Sequence, residues 1–219
     1  MTQVDYQETR ASRWMARNYD RIAATAERAI TPIRADLLGP VTGRVLEVGA
    51  GTGENLAHYR SAAEVVAVEP SPTMRGRLHD KLDDSSSPIE VVDAVGERLP
   101  FPDGSFDAVV CTLVLCMVPD LDGTLTEIRR VLKPGGRLVF FEHVRGEGLR
   151  GSIQDLLTPL MRRLLFGCRP NRRTLERMRS LGFELCVSHY QVRPWPRPPA
   201  SSPYFGGVAT LRGAKEAKS

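Results

Sequence analysis

Between residues 44 and 143 short apolar runs alternate with amphipathic ones, and this alternation restricts the fold more than any other feature. Arg44–Val48, Glu64–Val68, Ile89–Val92, Asp107–Leu115 and Arg137–His143 read as strands. Glu54–Tyr59, Met74–Lys81 and Leu121–Val131 carry helical periodicity between them, the last stopped by Lys133-Pro-Gly-Gly136. Strands separated by helices join into a parallel sheet with helices on both faces. The run 107–115 is apolar enough to be buried on both faces, as a central strand would be.

The flanks read differently. Residues 8–38 are helical in spacing, with Trp14, Tyr19, Ile22, Ala26 and Ile30 as expected anchors, and Thr31-Pro32 predicts that a second helix opens at Pro32. Gly39-Pro40 stops it. Beyond His143, residues 152–166 and 171–181 look helical, the second capped by Asn171. Phe183–Gln191 and Tyr204–Leu211 then look like closing strands around a rigid proline-rich loop, 194–199. The expectation is one domain over 1–219, in three parts: 1–43, 44–143 and 144–219.

Several classes fall away on length and charge. The longest apolar stretch, Ala108–Val118, is far short of the about 20 residues a membrane-spanning helix needs, so no span is expected and membrane contact is at most peripheral. No apolar segment opens the chain, which argues against a secretory signal and for the cytoplasm. Cys111, Cys116, Cys168 and Cys186 form no CxxC pair and never approach His at ligand spacing along the chain. The expectation is therefore reduced, inert thiols and no metal site. Residues 145–197 hold eleven Arg against four acids. Without interleaved aromatics this reads as solvated helix faces rather than a nucleic-acid surface.

Chemistry concentrates in Val45-Leu-Glu-Val-Gly-Ala-Gly-Thr-Gly53, where the first strand meets the first helix. Gly49, Gly51 and Gly53 allow a tight turn and close approach of a ligand to the backbone. The dinucleotide fingerprint would place its third glycine at position 54, which is Glu54. An acid there suits a pyrophosphate poorly, so a nicotinamide cofactor is disfavoured. Glu69 ends the second strand twenty residues after Gly49, where a carboxylate can hold both ribose hydroxyls. A phosphate-free ribose beside acidic Glu47 points to S-adenosyl-L-methionine, whose amino and sulfonium groups are cationic.

Four signatures in order, VLEVGAGTG (45–53), VAVEPS (66–71), LPFPDGSFDAVVC (99–111) and LKPGGRLVFFEH (132–143), resemble the class I S-adenosylmethionine-dependent methyltransferases. The stretch CTLVLCMV (111–118), then EIRRVLKPGG and EHV, is similar to animal microsomal thiol methyltransferases and their bacterial relatives. The resemblance implies an α/β fold: a doubly wound, Rossmann-like, seven-stranded sheet, mostly parallel with an antiparallel closing strand, under an N-terminal helical lid. It implies that Glu47 orients the glycine loop and meets the methionine amino group. Gly49, Ala50, Gly51, Thr52, Gly53 and Asn55 would follow the methionine part, and Glu69 the ribose. Pro70 and Met74 would cover adenine, which backbone around Val95, Gly96 and Glu97 would read. Cys111, Thr112 and Leu113 would line the methionine side. Relatives carry an Asp-Ala pair where this chain has Val95-Gly96, so a contact from Asp93 is not carried over.

Methyl transfer from a sulfonium is an in-line displacement that needs mainly alignment of the acceptor. A thiol is already partly ionised near neutrality and needs little base catalysis. His143, at the carboxyl end of the fifth strand, is the candidate base. Tyr19, in a Trp-x4-Tyr-Asp segment, is the candidate closing residue over the methionine end. Glu142 points to the opposite face and reads as structural. The expected function is methylation of a small-molecule acceptor, first a thiol, with phenolic, quinol-like or lipid O-, N- or C-acceptors open and a silent cofactor-binding protein as the remote alternative. A nucleic-acid substrate is disfavoured, since Cys111-Thr-Leu-Val stands where base-amino methyltransferases carry a polar Pro-Pro motif.

Overall fold

The computed structural model describes residues 6–164, 167–192 and 203–212 of the 219. Among the described residues the strands are β1 (Gly43–Val48), β2 (Ala62–Val68), β3 (Ile89–Val92), β4 (Phe106–Thr112), β5 (Leu132–His143), β6 (Phe183–Val192) and β7 (Tyr204–Leu211). They form one sheet in the order β3-β2-β1-β4-β5-β7-β6. β1 to β5 pair in parallel, and β7 lies antiparallel to both β5 and β6. This is the doubly wound sheet with an antiparallel closing strand that the resemblance implies. The proline-rich segment 194–199 lies outside the described residues.

Alternation along the strands builds a core on each face. Leu46, Val48, Val109, Cys111, Leu138 and Phe140 pack with Leu125 and Ile128 of α3 (Leu121–Val131) and Met178 of α5 (Thr174–Ser180). Val45, Val65, Val110, Val139 and Phe141 pack on the other face with Ile30, Leu37 and Leu38 of α1 (Arg10–Leu38) and Leu78 of α2 (Pro72–His79). β7 fits because Gly206 and Gly207 face their neighbours closely: a Cβ on Gly207 would stand 2.2 Å from the Cys186 carbonyl oxygen.

Four local expectations are corrected. Pro32 does not open a second helix but sits inside the single helix α1. The buried Ile30, Leu37 and Leu38 hold both sides of it against the sheet, which offsets the missing backbone donor. The anchors Trp14 and Ile22 are 59% and 51% exposed, since only the C-terminal half of α1 lies against the sheet core. The helix expected at 54–59 shrinks to a 3-10 turn, Leu56–His58, because Asn55 and fully buried Tyr59 turn inward to polar partners beneath the loop. Asn171 does not cap α5: Arg173 stands at the cap, and Asn171 donates to Asp155 instead.

α4 (Gly148–Leu164) completes the described helices, and among the described residues no helix is long and apolar enough to cross a membrane. Much of the arginine excess is internal bracing. Arg145 pairs with Asp155, Arg177 with Asp122, Arg173 with Glu176, and Arg172 donates to the carbonyls of Leu115 and Val118.

Candidate active site

The strand order reverses between β1 and β4, and the loop 49–53 leaves β1 at that switch point, where open α/β sheets bind ligands. All three loop glycines have left-handed backbone, with φ of 70° at Gly49, 60° at Gly51 and 85° at Gly53. A Cβ on Gly49 would stand 2.3 Å from Val114 Cγ2, whereas one on Gly51 meets nothing within 4 Å. The first glycine is therefore required by the fold, and the second faces open space.

The loop amides are mostly engaged already. Gly49 and Ala50 donate to the Val68 carbonyl, Gly53 to that of Ala50, and Gly51 to Glu69 Oε2 at 3.0 Å. A loop with four of its five N–H groups bound internally is poorly equipped to cradle a pyrophosphate. Glu54, the residue behind that expectation, is ion-paired with Lys81, so the engaged amides make the argument better than its charge does.

Glu69 accepts from Gly51 and from Ser71 N, and burial raises its carboxyl above the ordinary value against those two bonds. Each oxygen retains a second lone pair for a ribose hydroxyl. Pro70 and Val95 line a cleft of about 450 Å³ with Asp93 and Ala94, and Tyr6 and Glu8 form its outer side. Glu8 fastens that side to α2 by accepting from Ser71 Oγ at 2.6 Å and Thr73 Oγ1 at 3.0 Å. Gly96 is wedged between Thr124 and Val48. Glu97 accepts from Asp120 N at the start of α3, and Met74 is half-buried on α2.

Beneath the loop lies a buried polar network. Glu47, 2% exposed, accepts from Asn55 Nδ2 at 2.8 Å and the Tyr59 hydroxyl at 2.8 Å. Asn55 also donates to Thr112 Oγ1 and accepts from Arg34, which in turn pairs with Glu27 at 2.9 Å. Glu47 thus fixes the loop's underside, while Cys111 is fully buried in the apolar cluster. Burial pushes the Glu47 carboxyl up to about 7, against the bonds from Tyr59 and Asn55 and the charge of Arg34, with Glu69 adding a smaller upward push. The unfolded chain releases this proton near 4.5, so from about pH 4.5 to about 7 the folded state binds more protons. The contribution of Glu47 to stability is therefore expected to fall as pH rises through that window, by on the order of 3 kcal/mol, and to level off above it. Glu47→Gln keeps the shape and both partners, since the Tyr59 oxygen can accept from the amide. Urea melts at about pH 5 and about pH 7.5 should show a smaller decline in this variant; equal declines would refute the assignment.

The helical lid is latched to the loop through Asp20 rather than Tyr19. Asp20 accepts from Thr52 Oγ1 at 2.9 Å, pairs with Arg77 and lies 3.4 Å from Lys81. Tyr19 turns its hydroxyl to Glu27 at 3.3 Å, and burial raises its pKa.

The turn at the end of β4 is not legible in the sequence. Asp107–Leu115 was expected to be one strand, but β4 stops at Thr112 and Leu113 takes a left-handed φ of 57°. Fully buried Glu142 then accepts from the amides of Val114 (2.9 Å), Leu115 (2.9 Å) and Cys116 (3.3 Å). Burial pushes its carboxyl up to about 8 against those bonds. His143, on the opposite face, turns Nδ1 toward Cys116 Sγ at 3.8 Å and Cys168 Sγ at 3.9 Å, its ring 4.3 Å from that of Tyr204. The two sulfurs are 3.8 Å apart. Cysteine and histidine never stand at ligand spacing along the chain, yet three distant segments meet here. The thiols are also not alike. The hydrogen bond between them lowers Cys168, and His143 lowers it further, while Cys116 is raised.

The glycine loop at the switch point, the carboxylate ending β2 and the adjoining cleft suit an adenosyl ligand without phosphates. A family model described as "Methyltransferase domain" matches residues 46–140. Human thiol S-methyltransferase TMT1A is 33% identical over 182 residues, 80% of this chain and 74% of that protein. The chain belongs to the S-adenosylmethionine-dependent methyltransferases. Rat thiol S-methyltransferase TMT1B is likewise 33% identical to this methyltransferase, over 82% of the chain and 76% of the relative. A Thermotoga maritima S-adenosylmethionine-dependent methyltransferase structure superposes with a TM-score of 0.66 at 23% identity, covering 90% of this methyltransferase and 94% of that chain, which shows the shared fold. S-adenosylmethionine is the cofactor, and the methyltransferase acts on a small molecule.

Proposed function

We propose that this methyltransferase methylates the sulfur of a small thiol. The observation that carries the reading is the reach of the thiol S-methyltransferase match. It spans 182 residues, where the methyltransferase domain itself spans 46–140, so it extends well into the segments outside the cofactor core. When bound, S-adenosylmethionine supplies an electrophilic methyl group on a sulfonium.

The chain's own residues then have limited tasks. Glu69 would hold the ribose, Gly51 would leave room for the methionine part, and Pro70 and Val95 would flank the adenine. Glu47 and Asn55 keep the loop in place from below. Thr112 and Leu113 would face the methionine side, and Tyr19 would help close the lid behind Asp20. A thiol acceptor loses its proton to solvent readily, so no strong base is required. His143 has Nδ1 committed to two internal sulfurs, which favours a wall-forming role over that of a general base. A cytoplasmic setting is part of the proposal, because a reducing compartment keeps the thiols of Cys116 and Cys168 unlinked.

The test is a screen for S-adenosylhomocysteine release with alkyl and aryl thiols beside phenols and amines. Thiols are expected to exceed the other acceptors in kcat/KM by at least about tenfold, or about 1.4 kcal/mol in the barrier. Turnover confined to phenols or amines would replace the thiol with that acceptor.

A further inference from the structure

We propose that Cys116, His143 and Cys168 form a binding site for a zinc-class divalent ion, with three protein ligands and one coordination position left open. The three donor atoms make a nearly equilateral triangle with edges of 3.8, 3.8 and 3.9 Å. Tetrahedral zinc, with bonds of about 2.3 Å to sulfur and about 2.0 Å to nitrogen, requires edges of roughly 3.8 Å between sulfurs and roughly 3.5 Å from sulfur to nitrogen. The sulfurs already stand at that spacing, and the imidazole needs to move by only a few tenths of an ångström. A disulfide would instead bring the sulfurs from 3.8 Å to about 2.0 Å, a much larger displacement in a packed site.

The three ligands are also held in place without the ion. The ligands come from the turn after β4, the end of β5 and the segment between α4 and α5, and bonds that do not involve the sulfurs hold these segments together. Cys116 N donates to Glu142, and the Cys116 carbonyl accepts from Arg169 N at 2.9 Å. Arg172 donates to Leu115 O, and Arg172 O accepts from Arg145 N. Cys116 is 1% and Cys168 7% exposed, so the two sulfurs are shielded from water, while His143 is half-buried.

Charge and donor type agree with this. Two thiolates and a neutral imidazole cancel a divalent cation, whereas two adjacent thiolates with nothing between them would repel. The carboxylate of Glu142 is committed to three amides, and among the described residues no fourth cysteine, histidine or acid joins the group. Sulfur and imidazole donors select zinc over magnesium or calcium, which take oxygen. Two cysteines and a histidine with a vacant fourth position are the ligand pattern of an open zinc site.

The test uses the full chain without an affinity tag, expressed with zinc and purified under argon without chelator. About one equivalent of zinc per chain is expected by mass spectrometry of the metals. Cobalt added to metal-free protein should give thiolate charge-transfer bands and the visible bands of a tetrahedral site. Cys116→Ser and Cys168→Ser should lose both signals, and Cys186→Ser, altered at an exposed cysteine on β6, should keep them. To guard against misfolded variants, wild-type protein is also melted with 1,10-phenanthroline and its non-chelating 1,7 isomer; only the first should lower the melting temperature, by several degrees. Reduced wild-type protein with less than about a tenth of an equivalent of zinc and no cobalt bands would overturn the proposal. So would cobalt bands that survive in the double Cys116→Ser/Cys168→Ser variant, or a metal-free Cys116–Cys168 disulfide in protein kept under argon. These readings need no methyl acceptor, so they stand or fall separately from S-methylation.

Discussion

Glu142→Ala is expected to destabilise the enzyme by roughly 4 kcal/mol. The carboxyl of Glu142 is fully buried and accepts from three consecutive amides, those of Val114, Leu115 and Cys116. Alanine leaves all three without an acceptor, and each buried unpaired amide costs about 1–3 kcal/mol before the turn relaxes. For a chain of this size the loss corresponds to a fall of about 10 °C in melting temperature. Glu142→Gln retains the oxygen that meets Val114 and Leu115 but sets an NH2 group against Cys116 N, so it should recover about half of the loss. Thermal melts followed by circular dichroism decide the matter. An alanine variant melting within about 3 °C of wild type would show that the turn holds itself.

Gly49→Ala and Gly51→Ala are expected to fail in different ways. Both glycines are left-handed, so both variants carry the backbone penalty of about 1–2 kcal/mol. At Gly49 the new methyl also collides with Val114 Cγ2, adding about 1–3 kcal/mol of overpacking and pushing the loop off its bonds to Val68 O. At Gly51 the methyl meets no protein atom, and on the placement proposed above it would occupy the ligand's space instead. Gly49→Ala should therefore melt well below Gly51→Ala. Gly51→Ala should lose only the backbone share, about 1–2 kcal/mol, while binding S-adenosylmethionine about a hundredfold more weakly, near 2.7 kcal/mol. Adding Val114→Ala to Gly49→Ala should restore the steric part alone. Calorimetric titration beside thermal melts reads both effects, and equal melting temperatures for the two single variants would refute the distinction.

The sheet was legible because its signals are local. α2 separates β2 from β3 and α3 separates β4 from β5, β3 and α3 have their predicted bounds, and the glycine loop announces itself by spacing. The losses occurred where distant residues decide. Pro32 continues a helix because the sheet buries both of its flanks, and residues 54–59 lose their helix because Glu47 draws Asn55 and Tyr59 inward. Glu142 was read as structural, yet only the fold reveals that it shapes the turn ending β4. Cys116, His143 and Cys168 stand 27 and 25 residues apart in the chain, so no ligand spacing could betray that they meet.

The position of β7 carries a consequence for how the molecule comes together. β6 precedes β7 in the chain but lies outside it, so the hairpin they form joins the sheet only through β7. Until that hairpin docks, β5 is an open edge bearing Val139, Phe140 and Phe141. An uncapped apolar edge pairs readily with another chain. Refolding yield should therefore fall with protein concentration, because self-association competes with the last insertion.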